Sequence, residues 1–247
     1  MIKLVNINMS FGGKQVLNKI NLEVAAGEIL VIIGPSGSGK STLLRLITGL
    51  LKPDGGQIWV NGREISGLSE DSLIPVRQQM GMVFQYAALF DSMTVGENVA
   101  FGLREHTKMT EEEIQKIVRR TLRMVGLSGH EPTMPDQLSG GMKKRVSLAR
   151  AIAGNPSILL YDEPTTGLDP IMSETIDRLI VSTRRILGVT SVVVTHHMTS
   201  AFHIADRIAM IHQGQIIETG TSEQFRNSTN PIVQQFIHGK QSHRAAK

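Results

Sequence analysis

The sequence contains no cysteine among its 247 residues. That excludes a disulfide scaffold, thiolate zinc sites, iron–sulfur clusters and cysteine nucleophiles. It permits a cytosolic location without proving one. Long apolar runs are missing too. Stretches such as Ile29–Ile33 and Ile158–Tyr161 fall far short of the roughly 18 residues that cross a bilayer. The opening MIKLVNINMSF is too polar for the core of a secretory signal, so export by that route is not expected. Aromatics are sparse at 4%, and no Lys/Arg stripe with interleaved aromatics occurs, so no nucleic-acid partner is expected. Lys and Arg number 26 against 22 Asp and Glu; the resulting +4 is too small to identify a partner.

What is present fits a globular protein: 40% apolar and 19% charged residues. The length suits one large domain, or a core with one subdomain. Ile29–Ile33, Ile158–Tyr161, Val192–Val194 and Ile208–Ile211 are short and rich in Ile and Val. Such continuous runs predict parallel strands covered on both faces. Nearer the start the pattern alternates, with Ile20, Leu22 and Val24 against Asn21 and Glu23. That predicts a half-exposed antiparallel strand, and Ile58-Trp59-Val60 before Asn61-Gly62 adds a hairpin.

Residues 104–154 carry no strand pattern. Thr110 followed by Glu111, Glu112 and Glu113 opens a helix whose Ile114, Ile117, Val118, Leu122 and Val125 share one face. A second helix from about Gly141 places Val146, Ala149, Ile152 and Ala153 on one side. We therefore expect an α/β core over about 1–85 and 155–240, interrupted by a helical subdomain over about 86–154. The tail 241–247 is expected to fray.

The strongest local signal is Gly34-Pro35-Ser36-Gly37-Ser38-Gly39-Lys40-Ser41-Thr42, which fits G-x-x-x-x-G-K-[ST]. It follows a buried-strand run and precedes a helical pattern (Leu43, Leu44, Leu46, Ile47) that stops at Gly49. Strand, loop and helix in that order are the context of a phosphate-binding loop. Glycines let successive N–H groups converge on phosphate oxygens, and the helix N-terminus adds its positive end. Lys40 is expected at the β/γ-phosphates, and the Ser41 hydroxyl on Mg²⁺. The run Ser157–Tyr161 ends in Asp162 and Glu163, at the strand end where open α/β sheets place ligands. Asp162 is expected to help hold the metal, and Glu163 to orient the attacking water.

Leu138-Ser139-Gly140-Gly141-Met142 is a second anion-binding element at a helix start. One nucleotide already has its loop, so a second element suggests that two chains sandwich each ATP. At this point the residues resemble the ATP-binding subunits of ABC transporters over nearly the whole chain. The motifs are the loop Gly34–Thr42, Gln85, Leu138–Met142, Asp162-Glu163, Gly167-Leu168-Asp169, and His196 after the apolar strand Ser191–Thr195. The resemblance implies a head-to-tail homodimer with two ATPs at its interface. Each ATP would meet one copy's Gly34–Thr42 loop and the other's Ser139, Gly140 and Gly141. Phe11 would stack on adenine, with Val16 beside it, and Gln85 would join Ser41 and Asp162 at Mg²⁺. His196 would contact the γ-phosphate and Asp169 would communicate across the interface. Met142 stands where Gln is commoner and is expected to pack. His197, His203 and His212 are expected to be surface or structural.

Phe84–Ser92, Thr94–Ala100, Leu103–Thr107, Ser139–Arg145 and Val233–Gly239 further resemble the ATPases of Mla/MCE-type lipid transporters. That implies phospholipid movement between the inner and outer membranes, maintaining outer-membrane lipid asymmetry. The chain would work peripherally on the cytoplasmic side of the bacterial inner membrane. Its partners would be an integral permease and an MCE lipid-binding protein, with room for a small STAS-domain subunit. The alternative is the ATPase of an osmoprotectant or amino-acid importer; those usually carry regulatory domains for which this chain has no room. A different class, ABC ATPases acting on nucleic acid or ribosomes, generally has a long coiled-coil insertion or paired ATPase domains, and neither fits here.

Overall fold

The computed structural model describes residues 1–238; the tail expected to fray lies outside them. Strands β1 (Ile2–Phe11) and β2 (Lys14–Val24) form an antiparallel pair. Along β2, Leu17, Ile20, Leu22 and Val24 are buried while Asn21 and Glu23 face out, the expected alternation. Strand β3 (Ile29–Ile33) is buried throughout and feeds, through Gly34–Gly39, into α1 (Lys40–Ile47). Strands β4 (Gly55–Val60) and β5 (Arg63–Glu64) make the expected hairpin. Its turn residues Asn61 and Gly62 have φ of 49° and 78°, the left-handed pair that a two-residue hairpin needs.

Helix α2 (Glu70–Arg77) leads to β6 (Met80–Val83). Three helices follow: α3 (Val95–His106), α4 (Glu111–Met124) and α5 (Gly140–Ala153). The chain returns through β7 (Ile158–Asp162), α6 (Pro170–Leu187), β8 (Thr190–Val194), α7 (Met198–Ile204), β9 (Arg207–His212) and β10 (Gln215–Gly220). It closes with α8 (Ser222–Arg226) and α9 (Pro231–Ile237). Thr110 caps α4 with a reciprocal bond to Glu113, and Ser139 caps α5. Neither α2 nor α3 follows from the apolar pattern. The signal for α3 is Thr94-x-x-Glu97, a capping box. For α2 it is Ser69 ahead of two acids, in a helix of only eight residues with Pro75 inside.

Two sheets result. The first is antiparallel, in the order β2-β1-β4-β5; the second has the order β10-β9-β3-β8-β7-β6. Within the second, β9, β3, β8, β7 and β6 run parallel, and β10 joins β9 antiparallel. The fold is thus the expected α/β P-loop architecture, with a largely parallel core sheet, an antiparallel β layer and a helical insertion. The two faces of β3 explain its unbroken apolar run. Ile29, Val31 and Ile33 join the cluster formed by α3–α7. Leu30 and Ile32 join the cluster beneath α1 and the antiparallel sheet. Because β8 lies between β3 and β7, the carboxyl ends of these three strands bring Gly34, Glu163 and His196 to one edge.

Candidate functional site: a phosphate loop facing two acids

The loop after β3 is shaped by its glycines. Gly34 has φ +153°, and a Cβ there would overlap the Ile211 carbonyl oxygen; Gly39 has φ +102° and sits against Leu17 and Val16. Only glycine combines that backbone with such close approach. Lys40, the first residue of α1, is 7% exposed, and its Nζ donates to the carbonyls of Gly34 (2.9 Å) and Pro35 (3.0 Å). Burial pushes its pKa down, while the charges of Glu163 and Asp162 push it up.

Across the sheet edge, Ser41 Oγ donates to Asp162 Oδ1 at 2.8 Å, joining residues 121 positions apart. Burial raises the Asp162 pKa, and the Ser41 bond opposes that. Strand β7 ends at Asp162, and Glu163 steps off it with φ +49°, a left-handed geometry rare outside glycine. Its N–H donates to Val194 O at 2.9 Å. The carboxylate, in a residue only 8% exposed, is held from several sides. His196 Nδ1 lies 2.9 Å from Oε2, which makes Nδ1 the donor. Thr166 Oγ1 donates at 3.2 Å and the His196 N–H at 3.4 Å.

Phe11, Val16, Ser36, Gly37, Gly39, Lys40, Ser41, Thr42, Gln85, Glu163 and His196 line one open cleft of about 390 Å³. Phe11 is 45% exposed at its rim. The structure therefore brings together most of the residues expected to meet ATP. Gly34, Pro35 and Ser38 belong to the loop without lining the cleft. Ser139, Gly140, Gly141 and Asp169 do not line this cleft. Ser139 and Asp169 instead cap α5 and α6, and Gly140 and Gly141 lie against Leu168 and Met172. Met142 packs on the α3–α7 cluster as expected. His197 precedes α7 and stacks edge-on against His196; His203 is exposed and His212 half-buried.

The sequence reading passed over three residues here. Thr166, three positions beyond Glu163, grips its carboxylate. Arg150 donates to the carbonyls of Ala88 (2.7 Å) and Ala87 (2.9 Å), two alanines held at φ 48° and 61°. Lys144 belongs to the run Lys143-Lys144-Arg145 in the signature helix, yet it is only 6% exposed. Its helical phase was the signal: Gly141, Lys144 and Leu148 share one buried face.

A glycine loop between strand and helix, with a serine hydroxyl bonded to a strand-end aspartate and a glutamate beside it, defines a P-loop nucleotide-hydrolysing site. Residues 17–166 match the family model described as ABC transporter. The chain belongs to that family, as an ATP-binding subunit whose hydrolysis of ATP powers a transporter. It is 43% identical to the intermembrane phospholipid transport system ATP-binding protein MlaF of Haemophilus influenzae, covering 97% of this chain and 91% of that protein. It is also 43% identical to the methionine import ATP-binding protein MetN of Carboxydothermus hydrogenoformans, covering 96% and 72%. A dimeric ATP-binding cassette in a post-hydrolysis state, bound to ADP and Pi, superposes with a TM-score of 0.83 at 36% identity. That alignment covers 90% of this chain and 99% of the cassette. No helix among the described residues is long and apolar enough to cross a membrane.

Proposed function

We propose that two copies of this chain close head to tail around two Mg·ATP and drive phospholipid movement between the inner and outer membranes. The observation carrying the catalytic part is the Glu163 carboxylate, held by His196 and Thr166 on the same cleft as Lys40. Phosphoryl transfer to water calls for positioning and charge stabilisation more than covalent chemistry. Lys40 and the loop N–H groups receive the β- and γ-phosphates, Glu163 orients the attacking water, and His196 meets the γ-phosphate. Phe11 and Val16 take the adenine, and a π-face at position 11 suffices for stacking.

Ser41 Oγ and Asp162 Oδ1, 2.8 Å apart, with Gln85 on the same cleft, are the hard oxygen donors that Mg²⁺ uses alongside substrate phosphates. When bound, the ion neutralises charge on the phosphate oxygens.

Ser139, Gly140 and Gly141 do not line this cleft; in the proposed dimer they serve the nucleotide of the second copy, with Asp169 at the same interface. The dimeric cassette of similar fold supports that reading. We assign α3–α5 to the signature subdomain (about 86–154) and the rest to the core. A permease docks near Tyr86–Asn98, where Tyr86 is 86% exposed. The chain then works peripherally at the cytoplasmic side of the inner membrane, alongside an MCE lipid-binding protein and a STAS-domain subunit.

The motif resemblance and the likeness to MlaF support the lipid cargo; the equal identity to MetN favours, as a second reading, an importer of an amino acid or similar solute. Purification of the tagged chain with its membrane partners, followed by mass spectrometry of proteins and lipids, tests the choice. A permease with an MCE protein and bound phospholipid is expected. A permease with a solute-binding protein would overturn the cargo, and ATPase stimulation by DNA or RNA would overturn the transporter reading.

A further inference from the structure

Lys144 lies one turn into α5, and its ammonium is turned inward. Nζ donates to the carbonyl of Gln85, just beyond β6, and to that of Glu163 at 3.4 Å. A buried ammonium is costly unless its protons find acceptors, and an apolar side chain of similar volume would fill the same space at least as stably. Burial pushes the Lys144 pKa below the ordinary lysine value, and the charges of Glu163 and Asp162 offset that only in part.

The acceptors are as telling as the donor. Glu163 has a left-handed backbone, which persists only where its surroundings over-determine it. Its N–H is fixed by Val194 and its carbonyl by Lys144. The same ammonium fixes the peptide that follows Gln85. One side chain of the signature helix therefore ties together the peptides of the metal-side glutamine and the water-side glutamate.

We propose that Lys144 is a positioning residue for ATP hydrolysis: it clamps Gln85 to Glu163, so that placement of the signature helix sets the geometry of both. The inference rests on the roles assigned above to Gln85 and Glu163. It goes beyond them in giving the signature helix a direct hold on its own subunit's site, in addition to the one it offers the second copy.

Steady-state ATP hydrolysis and fluorescent-ATP binding by the full chain test it, comparing Lys144→Met, Lys144→Arg and Glu163→Gln with wild type. Misplacement of reacting groups by about 1 Å can cost up to roughly 10²-fold. Lys144→Met, which keeps the stem, is expected to lose at least about 10-fold in kcat, with KM and nucleotide affinity within about 2-fold. Lys144→Arg, which keeps charge and donors, is expected to recover most of the loss.

A kcat within about 2-fold of wild type in Lys144→Met would overturn the proposal. So would a loss that Arg does not rescue and that accompanies a lowered melting midpoint, which marks a structural brace. Should Lys144→Met fail to fold, Lys144→Leu carries the same comparison, since it too has no donor. If Glu163→Gln abolishes turnover while Lys144→Met is normal, only the clamp fails. If both are normal, the site reading fails with it.

Discussion

Replacing Arg150 by alanine should loosen the loop that follows Gln85, and the size of the effect can be worked from its contacts. The guanidinium donates to two adjacent carbonyls, Ala87 O at 2.9 Å and Ala88 O at 2.7 Å. Hydrogen bonds from a charged donor contribute about 1.5–3 kcal/mol each, so roughly 3–6 kcal/mol together. Against that, Ala87 and Ala88 are both left-handed, at φ 61° and 48°, which costs about 1–2 kcal/mol per residue, or roughly 2–4 in all. Taking the middle of each range, about 4.5 against about 3, the loop as built is favoured by roughly 1.5 kcal/mol. Without the arginine only the N–H bonds of Ala87 to Phe84 and of Ala88 to Tyr86 oppose the strain, and the loop should relax towards ordinary backbone angles. Its far end stays tied by the fully buried Asn98, whose amide donates to the carbonyls of Phe90, Met93 and Thr94 and accepts from the Phe90 N–H. The change should therefore be confined to Tyr86–Leu89. Amide hydrogen exchange and urea unfolding of Arg150→Ala are expected to show faster exchange there and a global loss of about 1–2 kcal/mol. Arg150→Lys should fall between, since a lysine cannot span both carbonyls with a planar fork. Wild-type stability together with unchanged exchange at Tyr86–Leu89 would refute the reasoning.

Two further substitutions separate loop shape from charge. Gly34→Ala puts a Cβ onto the Ile211 carbonyl in a backbone region unfavourable to side chains; nucleotide affinity measured by fluorescence titration should fall at least about 10-fold, a loss of roughly 1.4 kcal/mol. Asp162→Asn removes a carboxylate whose pKa burial raises, so its ionised form opposes folding above that pKa. The variant should melt higher than wild type near neutral pH, the gain shrinking as acid protonates the wild-type aspartate, while its ATP turnover collapses. A melting point at or below wild type would contradict the assigned cost of burying that charge.

The sequence exposes those parts of the fold whose cause is local. The unbroken run of β3 announces a strand covered on both faces, and the alternation in β2 announces one wet face. The loop Gly34–Thr42 is legible because chemistry dictates each residue type at each position. Other features depend on partners far away in the chain. The left-handed backbone of Glu163 depends on Val194 and on Lys144, and nothing in the residues around position 163 signals it. Lys144 sits in a Lys-Lys-Arg run, where composition suggests a solvated surface; only its phase relative to Gly141 and Leu148 places it inside. The short α2 hides because Pro75 and eight residues give too little periodicity to read. Ser139 to Gly141 and Asp169 could be named from the sequence, but their distance from this chain's own cleft shows only in three dimensions.

In the proposed mechanism Glu163 directs hydrolysis at a site completed by a second copy of the chain. Glu163→Gln tests it most directly when ATP turnover and light-scattering mass are measured on the same sample. ATP should still bind, the mass should double on adding ATP, and turnover should fall by at least about 10², the scale for losing one well-placed group. Near-normal turnover, or a mass that ATP leaves unchanged, would contradict it.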